Sequence, residues 1–211
     1  MPSLLITISV AILGGYLLGS IPSAYIIGRL FKKIDIREVG SKNMGAMNSF
    51  YNLGALPGAL VLIMDIGKGA LTVLFGYLLY PDLYMICFIS AFMAVAGHNF
   101  PVWLGFRGGK GGAVVVGVCC ALFPWAIIIA VIIFGVLTFI TKWPTISYGI
   151  ALITFPIMCL MTQGSTYLFW GLLFFVVIPY IFYVPRLVQV WKGYNGNIRK
   201  IFIRKNIKDR K

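Results

Sequence analysis

Apolar residues in this chain run in blocks and do not alternate. Six stretches, at roughly 4–28, 55–79, 83–105, 113–140, 145–162 and 166–184, are almost uninterrupted, and short polar or glycine-rich breaks separate them. Blocks of this length predict helices, since a half-buried strand would show a period of two. At about 1.5 Å per residue, each covers most or all of a hydrocarbon core of about 30 Å. Backbone N–H and C=O groups in lipid must be satisfied within the spanning segment, so the pattern predicts an all-α integral membrane protein.

One block is too long. As a single straight helix, 113–140 would measure about 42 Å. Pro124 stands near its middle, where the missing N–H and the ring clash oppose helix continuation. The block is therefore predicted as two short helices bent at Phe123-Pro124, the first short enough to be only partly inserted. The result is a seven-helix bundle with short or broken central helices.

The cations supply the orientation. Arg29, Lys32, Lys33, Arg37 and Lys42 place the first loop in the cytoplasm and the N-terminus outside, and Pro81-Asp82 becomes an external turn. Arg107 and Lys110 then fall inside. So do Lys142 and the stretch from Arg186 to Lys211, with nine Lys or Arg, but only if the chain crosses seven times. This organisation is a membrane domain over 1–191 and a basic cytoplasmic tail over 192–211. In the tail, Ile198, Ile201 and Phe202 share one face of a basic amphipathic surface helix, the alternative being a disordered polybasic end. The stretch from Met1 to Gly28 lacks Lys and Arg and outruns a signal-peptide h-region, so it is expected to stay as the first membrane helix.

Composition agrees with this picture: 60% of the 211 residues are hydrophobic and 11% charged. The formal charge of +13 would point to nucleic acid in a soluble protein. Here the cations cluster at segment ends, where they meet anionic lipid, and no nucleic-acid partner is expected. Cys87, Cys119, Cys120 and Cys159 all lie in apolar stretches without His or acidic ligand spacing, and read as small buried residues with no metal site.

The polar chemistry concentrates in two loops. In AGHNFPVWLGFRGGKGG (96–112), consecutive glycines let main-chain N–H groups converge on an anion and Lys110 adds a charge, so the loop suits phosphate; a tight turn with membrane-anchoring cations is the plainer alternative. It lacks Walker A spacing. His98 ends an apolar block and reads as a structural histidine or as a base. No acid follows closely enough in sequence to orient it as in a His-x4-Asp acyltransferase. In DIREVGSKNMGAMN (35–48), Ser41, Asn43 and Asn48 stand among Gly40 and Gly45, suited to bonding phosphate or a carbonyl, or simply to turn formation and helix capping. Asp65 and Lys68, at i,i+3 inside an apolar block, neutralise one another on one helix face and receive no catalytic role.

These segments resemble the bacterial acyl-phosphate:glycerol-3-phosphate acyltransferases, the PlsY family. GSIPSAYIIGR (19–29), DIREVGSKNMGAMN, LIMDIGKG (62–69), GHNFPVWLGFRGGKGG (97–112) and, more weakly, NGNIRKI (195–201) recur there in the same order and together cover nearly the whole chain. The resemblance implies a multi-pass protein of the bacterial inner (plasma) membrane with its active face toward the cytoplasm. It implies transfer of an acyl group from acyl phosphate to glycerol 3-phosphate, giving lysophosphatidic acid and phosphate, with no metal, cofactor or coenzyme A thioester. By motif position it assigns Ser41, Asn43, Asn48, His98, Lys110 and Asn197 to catalysis, and Gly40, Gly45, Gly108, Gly109, Lys110, Gly111 and Gly112 to substrate phosphate. It also implies that a substrate phosphate takes the hydroxyl proton. Met47, Tyr51, Val114, Tyr194 and Asn206 stand where the family pattern usually has polar or charged groups. They open a second reading, a catalytically weakened paralogue that binds a phosphorylated lipid or a membrane protein partner in assembly or regulation.

Overall fold

A computed structural model of the chain describes residues 3–163 and 166–181, together with Val184 and Val188. Its α-helices are α1 (Leu4–Gly19), α2 (Ser23–Lys32), α3 (Ala46–Asn52), α4 (Ala55–Leu79), α5 (Tyr84–Asn99), α6 (Gly112–Leu122), α7 (Ala126–Thr141), α8 (Pro144–Leu152), α9 (Thr154–Gln163) and α10 (Thr166–Ile181), with 3-10 turns at Ile36–Glu38 and Val102–Leu104. Among the described residues there is no strand. The stretches Leu4–Lys32, Ala55–Leu79 and Tyr84–Leu104 are long and apolar enough to cross a membrane, and Gly112–Leu122, Ala126–Thr141 and Ile146–Thr162 are shorter apolar helices.

Proline decides where the apolar blocks break. The block at 113–140 is divided as expected, α6 stopping at Leu122 and α7 starting at Ala126, with Pro124 between them. Two further blocks that read as continuous are also divided. The first stops at Gly19 and resumes at Ser23, because Pro22 has no N–H to continue the ladder. There the Ser20 N–H donates to the Tyr16 carbonyl and the Ile21 N–H to that of Leu18, closing α1. The block at 145–162 breaks at Ile153, just ahead of Pro156 in the first turn of α9.

The chain divides into two compact units, the first ending at Leu122 and the second starting at Phe123. In the first unit, glycines let helix backbones touch. A Cβ on Gly19 would overlap the Ala94 carbonyl of α5, one on Gly15 that of Ser90, and one on Gly97 the Tyr16 carbonyl of α1. Gly117 and Gly69 bring α6 and α4 together in the same way. Without a hydrophobic force between helices in lipid, such close packing has to supply the association. At one end of this unit, Ala24 and Ile27 of α2, Ile36, Met44, Ala46 and Leu53 of the following segment, and Val61 of α4 form a buried cluster beneath the first loop.

In the second unit, Phe155 and Cys159 of α9 and Leu172, Phe175 and Val176 of α10 are buried. The turn from α7 into α8 is tied by Thr141, whose hydroxyl donates to the Leu137 carbonyl at 2.7 Å and accepts from the Trp143 N–H at 3.1 Å. Lys142 takes the left-handed conformation there and closes α7.

The glycine contacts carry a direct expectation. Gly19→Val forces α1 away from the α5 backbone and lowers stability by about 1–3 kcal/mol. Gly67→Ala, where an added methyl meets nothing within 4 Å, leaves stability unchanged or raises it by up to about 1 kcal/mol through helix propensity. Thermal unfolding of the two variants in detergent checks the contrast.

Candidate active site

The first polar loop begins with a clamp. Arg37 forks onto Asp35, with Nε to Oδ1 at 3.0 Å and Nη2 to Oδ2 at 2.8 Å, and the Asp35 carboxylate also accepts from the Arg37 N–H. Its third nitrogen, Nη1, donates to the Leu104 carbonyl at 3.0 Å. One guanidinium therefore ties the first loop to the 3-10 turn that leads into the second. Leu104 also packs its side chain against the cluster under the first loop. The Tyr25 ring lies 5.2 Å from the Arg29 guanidinium and 5.4 Å from that of Arg37, within cation–π range. Hydrogen bonding from Arg37 holds the Asp35 carboxyl below its ordinary value of 3.8. A depressed value means that the clamp contributes fully above the ordinary carboxylate range and is lost only as pH falls through the lowered one.

Beyond the clamp, Asn48 organises the loop from the first turn of α3. Its Oδ1 accepts from the Ser41 N–H at 3.0 Å, and its Nδ2 donates to the carbonyls of Ile36 and Val39 at 3.0 and 3.1 Å. Asn52, one turn later, donates to the same Oδ1 at 2.9 Å. The two amides occupy the space where a Cβ on Gly40 would lie, and Gly40 has φ +57°, so both sterics and backbone select glycine there. Buried as it is, Asn48 spends its hydrogen bonds on the loop and presents Ser41 at the surface. Asn43 is half-buried, and its Nδ2 lies beside Gly45, at the start of α3.

The second loop folds back on the end of α5. The Gly109 N–H donates to the His98 carbonyl at 3.0 Å and the Gly108 N–H to that of Asn99 at 3.1 Å. A Cβ on Gly108 would overlap the His98 carbonyl, while one on Gly109 would overlap His98 Nε2 and lie 2.7 Å from the Met44 carbonyl. The imidazole thus sits against the Gly109 main chain, with Met44 of the first loop beside it. Gly111, at φ +78°, turns the chain into α6 past Val95 and Asn99. Lys110 is half-buried immediately before α6. The N-terminus of α6 adds the positive end of a helix dipole to the same loop.

Behind His98 lies a polar group that sequence spacing alone did not connect to it. Asp65 of α4 accepts from the Ser23 hydroxyl at 2.8 Å and pairs with Lys68 at 2.9 Å, and His98 Nδ1 lies 3.6 Å from the same Oδ1. Lys68 also donates to the Ile21 carbonyl at 2.9 Å, in the break between α1 and α2. Ser23 and Asp65 are 1% exposed, Lys68 and His98 4%. An acid therefore lies near His98 after all, on another helix, at a distance beyond a direct hydrogen bond.

The structure brings Met44, between Asn43 and Gly45, together with His98 and Gly109. Gly108, Lys110, Gly111 and Gly112 belong to the same loop and the helix that it enters. Arg107 faces outward and approaches Glu38 at 3.8 Å, an exposed pair that contributes little. Met47 and Tyr51 are exposed on α3, whereas Val114 is fully buried in α6. Asn197, Tyr194, Asn206 and the tail at 192–211 lie outside the described residues. Asn99, Arg37 and Ser23 emerge as further members of the neighbourhood to which the sequence reading gave no role in the site.

Comparison with known proteins points in one direction. A family model described as glycerol-3-phosphate acyltransferase matches residues 9–202. The protein named glycerol-3-phosphate acyltransferase 2 of Dehalococcoides mccartyi is 46% identical over 98% of both chains. Among solved structures, PlsY (YgiH), an integral membrane glycerol 3-phosphate acyltransferase in its glycerol 3-phosphate form, superposes with a TM-score of 0.79 at 25% identity, covering 88% of this chain and 92% of its own. The lysophosphatidic acid form of that protein shares the fold with a TM-score of 0.77 at 24% identity, over the same shares of the two chains.

Asn48→Ala removes one acceptor and two donors from the loop at once. The expected cost is about 2–3 kcal/mol, since each such bond contributes about 1 kcal/mol. Thermal unfolding measures it, and an unchanged midpoint would contradict the organising role.

Proposed function

The chain belongs to the glycerol-3-phosphate acyltransferase family, and from that membership we propose that its two polar loops form one anion-binding site at the cytoplasmic membrane surface. The protein is an integral membrane glycerol-3-phosphate acyltransferase that produces lysophosphatidic acid. In our reading the donor is an acyl phosphate, whose hydrocarbon chain remains in lipid while its head group enters the site. The topology that fits has the N-terminus outside, seven membrane helices and a cytoplasmic C-terminus. Support comes from the Arg37 bridge to Leu104, which joins the two basic loops at one end of the first unit.

The single observation that carries the site is the meeting of Met44, His98 and Gly109. It sets the Ser41–Gly45 segment beside the Gly108–Gly112 segment, so groups on both act on one substrate pair. Lys110, with the positive end of α6, attracts phosphate, while the Gly108 and Gly109 amides fasten the loop to the end of α5. Ser41 and Asn43 bond the acceptor and the carbonyl, and Asn48 holds Ser41 in place; Asn197 is assigned here by family resemblance alone. In the reaction, the glycerol 3-phosphate hydroxyl oxygen attacks the acyl carbonyl carbon. Donors around the developing oxyanion stabilise it, by a few kcal/mol per well-placed group. The new ester C–O bond forms, the bond to phosphate breaks, and phosphate leaves with the electron pair. The hydroxyl proton passes to a substrate phosphate oxygen.

Purified protein, palmitoyl phosphate and labelled glycerol 3-phosphate test this reading directly. The parent forms lysophosphatidic acid. Lys110→Ala loses about 100-fold or more in kcat/KM, the range seen when one donor to developing charge is removed. Parental turnover and affinity in that variant would refute the assignment.

A further inference from the structure

Asp65 and Lys68 form an ion pair buried inside an apolar helix, a placement that persists only where every charge is satisfied. Such a pair also has to satisfy its remaining protons and lone pairs through further partners. This one has three: the Ser23 hydroxyl, the Ile21 carbonyl and, 3.6 Å from Asp65, the Nδ1 atom of His98. Nδ1 is buried, makes no hydrogen bond among the described residues, and faces Asp65 Oδ1 at 3.6 Å. The Asp65 carboxylate is therefore the group that restrains that edge of the imidazole. The opposite edge, at Nε2, lies against Gly109, with the Met44 carbonyl close by. The ring and the Met44 carbonyl therefore both abut Gly109, and the charged pair lies behind the ring. The Gly109 N–H bond to the His98 carbonyl adds a second link between the same residues.

We propose that Asp65 and Lys68 are positioning residues for acyl transfer, acting through His98, whose ring packs against Gly109 where the Met44 carbonyl also meets it. The inference rests on the reading that these two loops form the substrate site. Lys68 holds the carboxylate and pins it to the break between α1 and α2; the carboxylate holds His98; and His98 holds the loops in register. None of the anchor touches substrate. A misplacement of about 1 Å at a reacting centre costs on the order of 100-fold in rate, so a loosened imidazole is felt in turnover even where binding survives.

The test separates this role from charge neutralisation alone. The full chain is purified as the parent, Asp65→Asn, Lys68→Met, the double variant Asp65→Asn with Lys68→Met, Ser23→Ala and Lys110→Ala. Thermal midpoints and kcat and KM for palmitoyl phosphate and glycerol 3-phosphate are then measured. Each single charge variant loses stability because a buried charge is left alone. The double variant removes both charges and regains the parental midpoint, yet its kcat stays about 10- to 100-fold low with KM changed less than about threefold. A double variant that folds and turns over at the parental rate overturns the inference. Ser23→Ala keeps the ion pair and frees one restraint on Asp65; if the double variant does not fold, parental kcat in Ser23→Ala overturns it instead, and a kcat lowered several-fold at a parental midpoint supports it. Parental activity in Lys110→Ala defeats the site reading itself, and so distinguishes that failure from a failure of the anchor.

Discussion

A carboxylate inside an apolar helix has to be surrounded by donors, and the first unit is arranged around that requirement at Asp65. Its neighbours come from three separate segments: Ser23 at the start of α2, Lys68 one turn along α4, and His98 at the end of α5. The Ser23 and His98 contacts bring the start of α2 and the end of α5 against α4, in lipid where apolar side chains gain little by choosing one neighbour over another. Lys68 does a second job by donating to the carbonyl of Ile21. The break imposed by Pro22 leaves polar main chain within an apolar region, and the same ion pair helps to satisfy it. Fold and site thus share one polar centre.

Glycine supplies the complementary constraint. Gly15, Gly19 and Gly97 let α1 and α5 meet backbone to backbone, and Gly69 and Gly117 do so for α4 and α6. Gly108 and Gly109 then bring a loop onto the end of α5 just as closely. Packing glycines and loop glycines obey one steric rule, but their consequences differ. The former hold helices together; the latter place the second loop's main chain against a histidine. The glycine loop is held here because neighbours occupy the positions that side chains on Gly108, Gly109 and Gly111 would take.

The departures from the family pattern separate by environment. Met47 and Tyr51 lie on exposed α3, on the loop side of the unit, where a change of polar group alters what meets the surface. Val114 has no exposed surface, and its carbonyl abuts Gly69 of α4. An apolar side chain at that point serves packing. The clamp of Arg37 on Asp35 and Leu104 keeps both loops together independently of any of the three.

Much of this architecture was legible in the order of residues. Block length and hydropathy determined an all-α membrane protein, Pro124 determined the division of 113–140, and the glycine-rich, basic strings marked the two loops that carry chemistry. All of these are local properties, since helix formation and proline breaks depend on neighbours a few residues away. Pro22 and Pro156 carried the same local signal, yet continuous hydropathy on either side hid the breaks. Tertiary structure alone decided that Asp65 stands behind His98, that Asn48 is consumed by its own loop, and that Met44 and His98 both meet Gly109. Those pairs are separated by up to 65 positions or lie on different helices, and only helix packing through glycine sets their distance.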